Sequence, residues 1–266
     1  MTKKNHSTLH LYFKYIAVCV KSAMQYRFSL ILTIVARFIL GFGEFFAIFF
    51  LFSGFTGLKG YTYGDIVLCF SVVQLSFALC ETVSGGFKSF SGMVRRGEFD
   101  RLLVRPVSPA LQVIGSKFDL GRLGPMITAV ITLIIGLANT DVRWTPLRVF
   151  TLLLMIAGGF LLFTSLFIIE ATFCFFVLGN VAVFNVLTYG AKTHGRYPFD
   201  VYGKGIFSFC TYLIPYTLFQ YFPLQYLLGR TDNPLCILAP IGIAPFFGLC
   251  LLFWRFGLKK YRSSGS

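Results

Sequence analysis

Residues 30–53 read LILTIVARFILGFGEFFAIFFLFS, with Arg37 and Glu44 as the only charges. Crossing the hydrocarbon core of a bilayer takes about 20 apolar residues in a helix, because every backbone polar group must be satisfied within the segment. This stretch meets that length. Working outward, the same rule marks 63–84, 119–138, 147–170, 205–222 and 234–256 as further spans. The reading is an all-α membrane protein with six transmembrane helices. Composition agrees: the 266 residues are 56% hydrophobic and 13% charged, with 33 Phe. A soluble domain carries roughly 25% charged residues, enough to coat its surface with polar groups. Mean hydropathy is +0.75.

The segment 1–29 has a different pattern. Lys3, Ser7, His10, Lys14, Lys21 and Gln25 fall on one stripe at helical spacing, and Leu11, Tyr12, Phe13, Ile16, Val20 and Met24 occupy the rest. That predicts an amphipathic helix lying in the membrane interface. Lysines in mid-span are costly, which disfavours a seventh crossing.

Residues 147–190 are too long for one span, and basic residues arbitrate. Reading them as a single span puts both termini on one side. The cytoplasmic segments are then the N-terminus, about 85–122, about 171–204 and the C-terminus. They hold nineteen of the 24 Lys and Arg residues, all except Arg37, Lys59, Arg143, Arg148 and Arg230. Positive charge accumulates on the cytoplasmic side, so both termini are expected there. Residues 171–190 become a cytoplasmic extension or an interfacial helix. The chain divides into the interfacial helix 1–29, the membrane domain 30–258 and a tail 259–266.

The net charge of +14 fits this bias, and no nucleic-acid partner is expected. Seven cysteines at irregular spacing, none as CxxC, give no disulfide framework. His6, His10 and His194 lack metal-ligand spacing. No cleavable signal peptide is expected. No GxxxxGK[ST] phosphate loop occurs, nor HExxH or a Ser/His/Asp set, so no catalytic activity and no cofactor are expected on this chain. Arg37 and Glu44 lie two helical turns apart on one face and are candidates for a translocation path, because charges at bilayer depth default to function. Glu81 and Glu170 read as interfacial. Pro215 and Pro223 break the fifth span, predicting a half-span or re-entrant turn near the outer face. In the loop 85–118, Arg105-Pro106 stops one helix and Ser108-Pro109 starts another.

That loop carries the sharper signal. Gly97-Glu98-Phe99-Asp100-Arg101-Leu102-Leu103-Val104-Arg105-Pro106, followed by Ser108-Pro109, resembles the G-E-[LF]-D-x-x-L-x-R-P segment of the ABC-2 family of transporter permeases. Tyr197-Pro198, Tyr202, Pro215 and the FPLQYLLGR stretch follow in that family's order. The resemblance covers about residues 10–260. It implies a six-span subunit of the cell membrane, multi-pass, in a bacterial cytoplasmic membrane. It implies a second permease subunit, identical or a sister, and separate ATPase subunits carrying ATP and Mg. It implies that Gly97, Glu98, Asp100, Arg101, Arg105 and Pro106 form or brace the helix that receives ATPase motion. Two other classes compete. An ion-driven secondary transporter predicts internal repeats and broken helices in both halves. A non-transporting scaffold predicts no solute-stimulated ATP turnover.

Overall fold

The computed structural model describes residues 8–54, 57–177 and 183–261, and these are helical throughout, without strands. Helix α1 is Thr8–Gln25 and α2 is Arg27–Gly54; α3 is Tyr63–Val83. Four short helices follow: α4 Gly85–Lys88, α5 Phe90–Arg95, α6 Glu98–Leu103 and α7 Pro109–Gly115. A 3-10 turn, Leu120–Arg122, opens α8, Leu123–Asn139, and α9 is Pro146–Phe173. Then come α10 Val183–Asn185, a π-turn Val186–Gly190 and α11 Ala191–His194. After a 3-10 turn, Phe199–Tyr202, the chain forms α12 Lys204–Ser208, a π-turn Phe209–Leu213, α13 Tyr216–Phe219 and α14 Tyr221–Leu227. Helix α15 is Leu235–Leu238, and a 3-10 turn Ala239–Gly242 leads into α16, Ile243–Lys260.

Five helical stretches are long and apolar enough to cross a membrane: Arg27–Gly54, Tyr63–Val83, Leu120–Asn139, Pro146–Phe173 and Leu235–Lys260. They coincide with five of the six expected spans.

The bundle is organised around α3, which is apolar on every side and buried along nearly its whole length. A helix hydrophobic all round belongs in an interior. Its start is fixed by a capping box: the Asp65 amide donates to Thr62 Oγ1 at 3.3 Å and the Thr62 amide to the Asp65 carboxylate at 3.0 Å. Such a cap contributes about 1 kcal/mol. Helices α8 and α9 pack against α3, and α2 packs on α8. Small residues let the backbones approach, since lipid tails offer no hydrophobic drive between helices. Hydroxyls add bonds across helices: Ser76 Oγ donates to Ile156 O at 3.1 Å and Thr128 Oγ1 to Phe38 O at 3.3 Å.

The fifth expected span, 205–222, is not one helix. Ile214 is extended (φ −128°, ψ 106°) ahead of Pro215, and the chain turns there. The arms fold together: the Phe207 ring meets Tyr221 at 4.9 Å, and Thr217 Oγ1 donates to Thr211 Oγ1 at 3.0 Å. The proline break expected from sequence produces a helical hairpin. The segment that traverses the bundle lies earlier, at α10 to α11. Tyr189 bonds Glu81 near the end of α3, while Cys69 Sγ donates to Gly195 O at 3.5 Å near its start. The segment therefore runs antiparallel to α3. It ends beside the α2–α3 turn, where Lys59 Nζ donates to Val201 O at 3.1 Å. The expected cytoplasmic segment 171–204 is corrected accordingly. Lys192 and Arg196 sit within the bundle, and Lys204 lies near the end opposite α4–α7. The apolar length rule misses this traverse because a π-turn, two cations and glycines interrupt it.

The expected two-helix loop holds four short helices. Ser108 precedes Pro109 at the first position of α7 as expected, but its side chain makes no capping bond. Helix α1 lays Tyr12, Tyr15, Ile16 and Cys19 toward the bundle, with Tyr15 against Gly115 of α7. Lys14 and Lys21 are exposed, and so are Phe13, Val18 and Met24. Lys3, Ser7 and Arg262 lie outside the described residues.

A methyl at Gly64 would lie 2.0 Å from the Asn139 carbonyl oxygen. Gly64→Ala is expected to force α3 from α8 and destabilise the fold by about 1–3 kcal/mol, read as a lower melting temperature in detergent.

Candidate functional site

Gly97 begins α6 with φ +65°, a left-handed conformation that glycine adopts without a Cβ clash. It turns the chain so that Phe99 points inward. Phe99 is fully buried, with its ring 4.8 Å from Phe90, 5.2 Å from Tyr261 and 5.7 Å from Phe175. Trp254 closes the cluster, 5.1 Å from Phe90 and 5.0 Å from Phe175. One aromatic box thus joins α6 to α5, to the chain just beyond α9 and to α16. Edge-to-face pairs of this kind are worth about 0.5–1.5 kcal/mol each beyond burial.

Polar bonds complete the anchor. The Tyr261 hydroxyl donates to Asp100 at 3.0 Å. Burial, then the Asp100 carboxylate, pushes that hydroxyl up to about 12, so it stays a donor at physiological pH. Arg96 donates twice to Glu98, at 2.7 and 3.2 Å, and holds its carboxyl below the ordinary range. Gln112 is buried and donates to Leu102 O and Val107 O, both at 3.0 Å. It spans the Arg105-Pro106 break, where the proline nitrogen has no hydrogen to give. Arg101, Arg105 and Pro106 are exposed, and Val104 is 83% exposed. The expected coupling residues therefore share one protrusion, charged and apolar outward and aromatic inward.

A chain of charges lies behind it. Glu81, 3% exposed, accepts from Lys88 at 2.8 Å and from Arg122 at 2.6 Å, and also from the Tyr189 hydroxyl. Arg122 reaches Asp119 at 3.4 Å, and Asp119 pairs with Arg37 at 3.1 Å. Burial pushes the Asp119 carboxyl up, but the Arg37 and Arg122 guanidinium groups outweigh it and hold it below the usual range. The network joins α2, α3, α4, the turn before α8 and the π-turn after α10. Arg37 belongs to it.

Glu44 lies in a different cluster. Its carboxylate meets Lys192 at 3.2 Å and Arg196 at 2.9 Å. Arg37 and Glu44 share a helix face, yet each has its own partners. Sequence reasoning missed Asp119, Arg122, Lys88, Tyr189, Lys192 and Arg196. The spacing of Lys192 and Arg196, one helical turn apart, was an available signal.

At the opposite end the hairpin is locked. The Tyr61 hydroxyl donates to Asp200 at 2.9 Å and accepts from Gln225 at 2.5 Å, and Arg230 lies 3.9 Å over its ring. Gln220 Nε2 donates to Tyr197 O at 2.8 Å and Gly195 O at 3.1 Å.

The bundle of long apolar helices, with a charged loop braced at one end and a helical hairpin at the other, has the make-up of a multi-pass membrane protein. Residues 38–265 match the family described as ABC-2 family transporter protein, and the chain belongs to that family. No curated protein and no solved structure matches.

Breaking a buried ion pair from one side costs about 3–5 kcal/mol, because the partner charges remain. Glu81→Gln leaves Lys88 and Arg122 without their shared carboxylate. Its melting temperature should fall well below that of Glu98→Gln, whose pair is at the surface.

Proposed function

We propose that this chain is the membrane-spanning permease of an ATP-binding cassette exporter, working with separate ATPase subunits and a second permease subunit. The observation that carries this is α6. With the two residues that follow it, it presents Glu98, Arg101, Val104 and Arg105 outward, while Phe99 ties it to the aromatic box of α16 and the chain just beyond α9. Such a helix transmits a push without rotating in place.

The five long helices and the α10–α11 traverse make six crossings, an even number that leaves both ends on one side. The basic residues of α4–α7 and of the end of α16 mark that side as cytoplasmic. Helix α1 then lies in the interface, with Lys14 and Lys21 toward water. Helix α2 buries only Gly41, Phe45 and Ile48, and Tyr212 is 88% exposed. These uncovered faces support a second permease, identical or a sister. ATP and Mg sit on the ATPase. Its closure moves α6, the aromatic box shifts α9 and α16, and the Glu81 network carries the motion to the traverse. The setting is a cell membrane, with a bacterial cytoplasmic membrane the one the family resemblance favours.

Purifying the chain with and without its ATPase tests this. Co-elution is expected for the native chain. Glu98→Arg or Asp100→Arg should reduce it about tenfold or more, equal to about 1.4 kcal/mol of docking energy. Absence of any ATPase in the complex contradicts the permease reading.

A further inference from the structure

Glu44 is about 26 Å along α2 from Arg27 and about 15 Å from Gly54, at ~1.5 Å rise per residue. It lies well inside the length that crosses the bilayer. There it faces two cations. Lys192 Nζ stands 3.2 Å from its carboxylate and 5.7 Å from the centre of the Phe77 ring. Arg196 spends one nitrogen on Glu44, at 2.9 Å, and its Nε is buried without a partner among the described residues. A guanidinium offers five donors in a fork that matches a carboxylate or phosphate. One carboxylate cannot neutralise two cations, and an uncompensated charge at this depth is costly.

The neighbouring surface is apolar. Leu40 and Leu51 lie on the Glu44 face of α2 and are exposed. The Glu81 network makes no ion pair with Lys192 or Arg196 among the described residues; Glu81 acts on Lys192 only at a distance, and the network's two carboxylates are already shared among Arg37, Lys88 and Arg122.

From this geometry we propose that Glu44, Lys192 and Arg196 form a binding site for the anionic head, carboxylate or phosphate, of a molecule with an apolar tail. Glu44 holds the two cations together and in place until that head arrives. The head then takes the unused donors of Arg196 and Lys192, and the tail lies along Leu40 and Leu51. Naming this molecule as cargo rests on the permease reading; the binding itself does not. The site joins α2 to the traverse, so occupancy also bears on the position of the element that the Glu81 network reaches.

The test uses the full chain in phosphatidylcholine nanodiscs, without ATPase, and measures binding of dodecyl phosphate against dodecyltrimethylammonium. The phosphate is expected to bind about tenfold more tightly. Lys192→Gln and Arg196→Gln should each erase most of that preference, while Glu44→Gln should tighten dodecyl phosphate severalfold by removing the competing carboxylate. Equal affinity for the two heads, or weaker phosphate binding in Glu44→Gln that is folded by its melting temperature, overturns the proposal. Arg196→Lys retains the charge and serves if Arg196→Gln does not fold. Competition by phosphatidylglycerol in the disc identifies a lipid headgroup as occupant, and competition by inorganic phosphate shows that the head alone suffices. If neither competes, the site requires a tailed anion other than that lipid. Because no ATPase is present, failure here leaves the co-elution test of the permease untouched.

Discussion

The Glu81 carboxylate is the constraint on which the α4–α7 end of the bundle depends. It is buried at the end of the most buried helix, and an ion there must be matched by cations with good geometry. Lys88 reaches it only if the chain turns directly from α3 into α4. Arg122 reaches it only through the 3-10 turn ahead of α8, and Tyr189 only if the traverse runs beside α3. Meeting one charge therefore fixes the relative placement of four separate stretches of chain. Asp119 and Arg37 extend the same logic to α2.

Against that fixed end, α6 is held by aromatic packing, which tolerates small displacements better than a buried ion network does. Phe99 moves with Phe90, Phe175, Trp254 and Tyr261 as one cluster. The other end is tied by polar bonds from Tyr61 to Asp200, from Gln220 to the Tyr197 carbonyl and from Arg230 to the Gly60 carbonyl. The traverse runs between the two ends. It contains a π-turn and carries Lys192 and Arg196, so its helix is the weakest of those beside α3 and the natural place for rearrangement.

Much of this was legible in the sequence, for physical reasons. Lipid demands long apolar helices, so five spans could be read from length alone. Pro215 forecast a break, and Gly97 to Pro106 forecast a rigid polar protrusion. The place of the segment that runs beside α3 was not legible. The traverse is short and carries two cations, so it resembles a loop, while the hairpin is apolar enough to resemble a span. The partners of Arg37 and Glu44 were also hidden. Ion pairs formed across 82 and 148 positions leave no local pattern, and only the fold brings them together. Spacing placed both residues on one face, but separate networks claim them.

The central claim is that α6 docks an ATPase. Its most direct test places a photo-reactive benzoylphenylalanine at Val104, an exposed residue of the protrusion, and irradiates intact membranes from cells expressing the chain with its ATPase. A crosslink to the ATPase subunit that weakens in Asp100→Arg is expected. A crosslink to lipid alone, with the ATPase present and the chain correctly inserted, would contradict it.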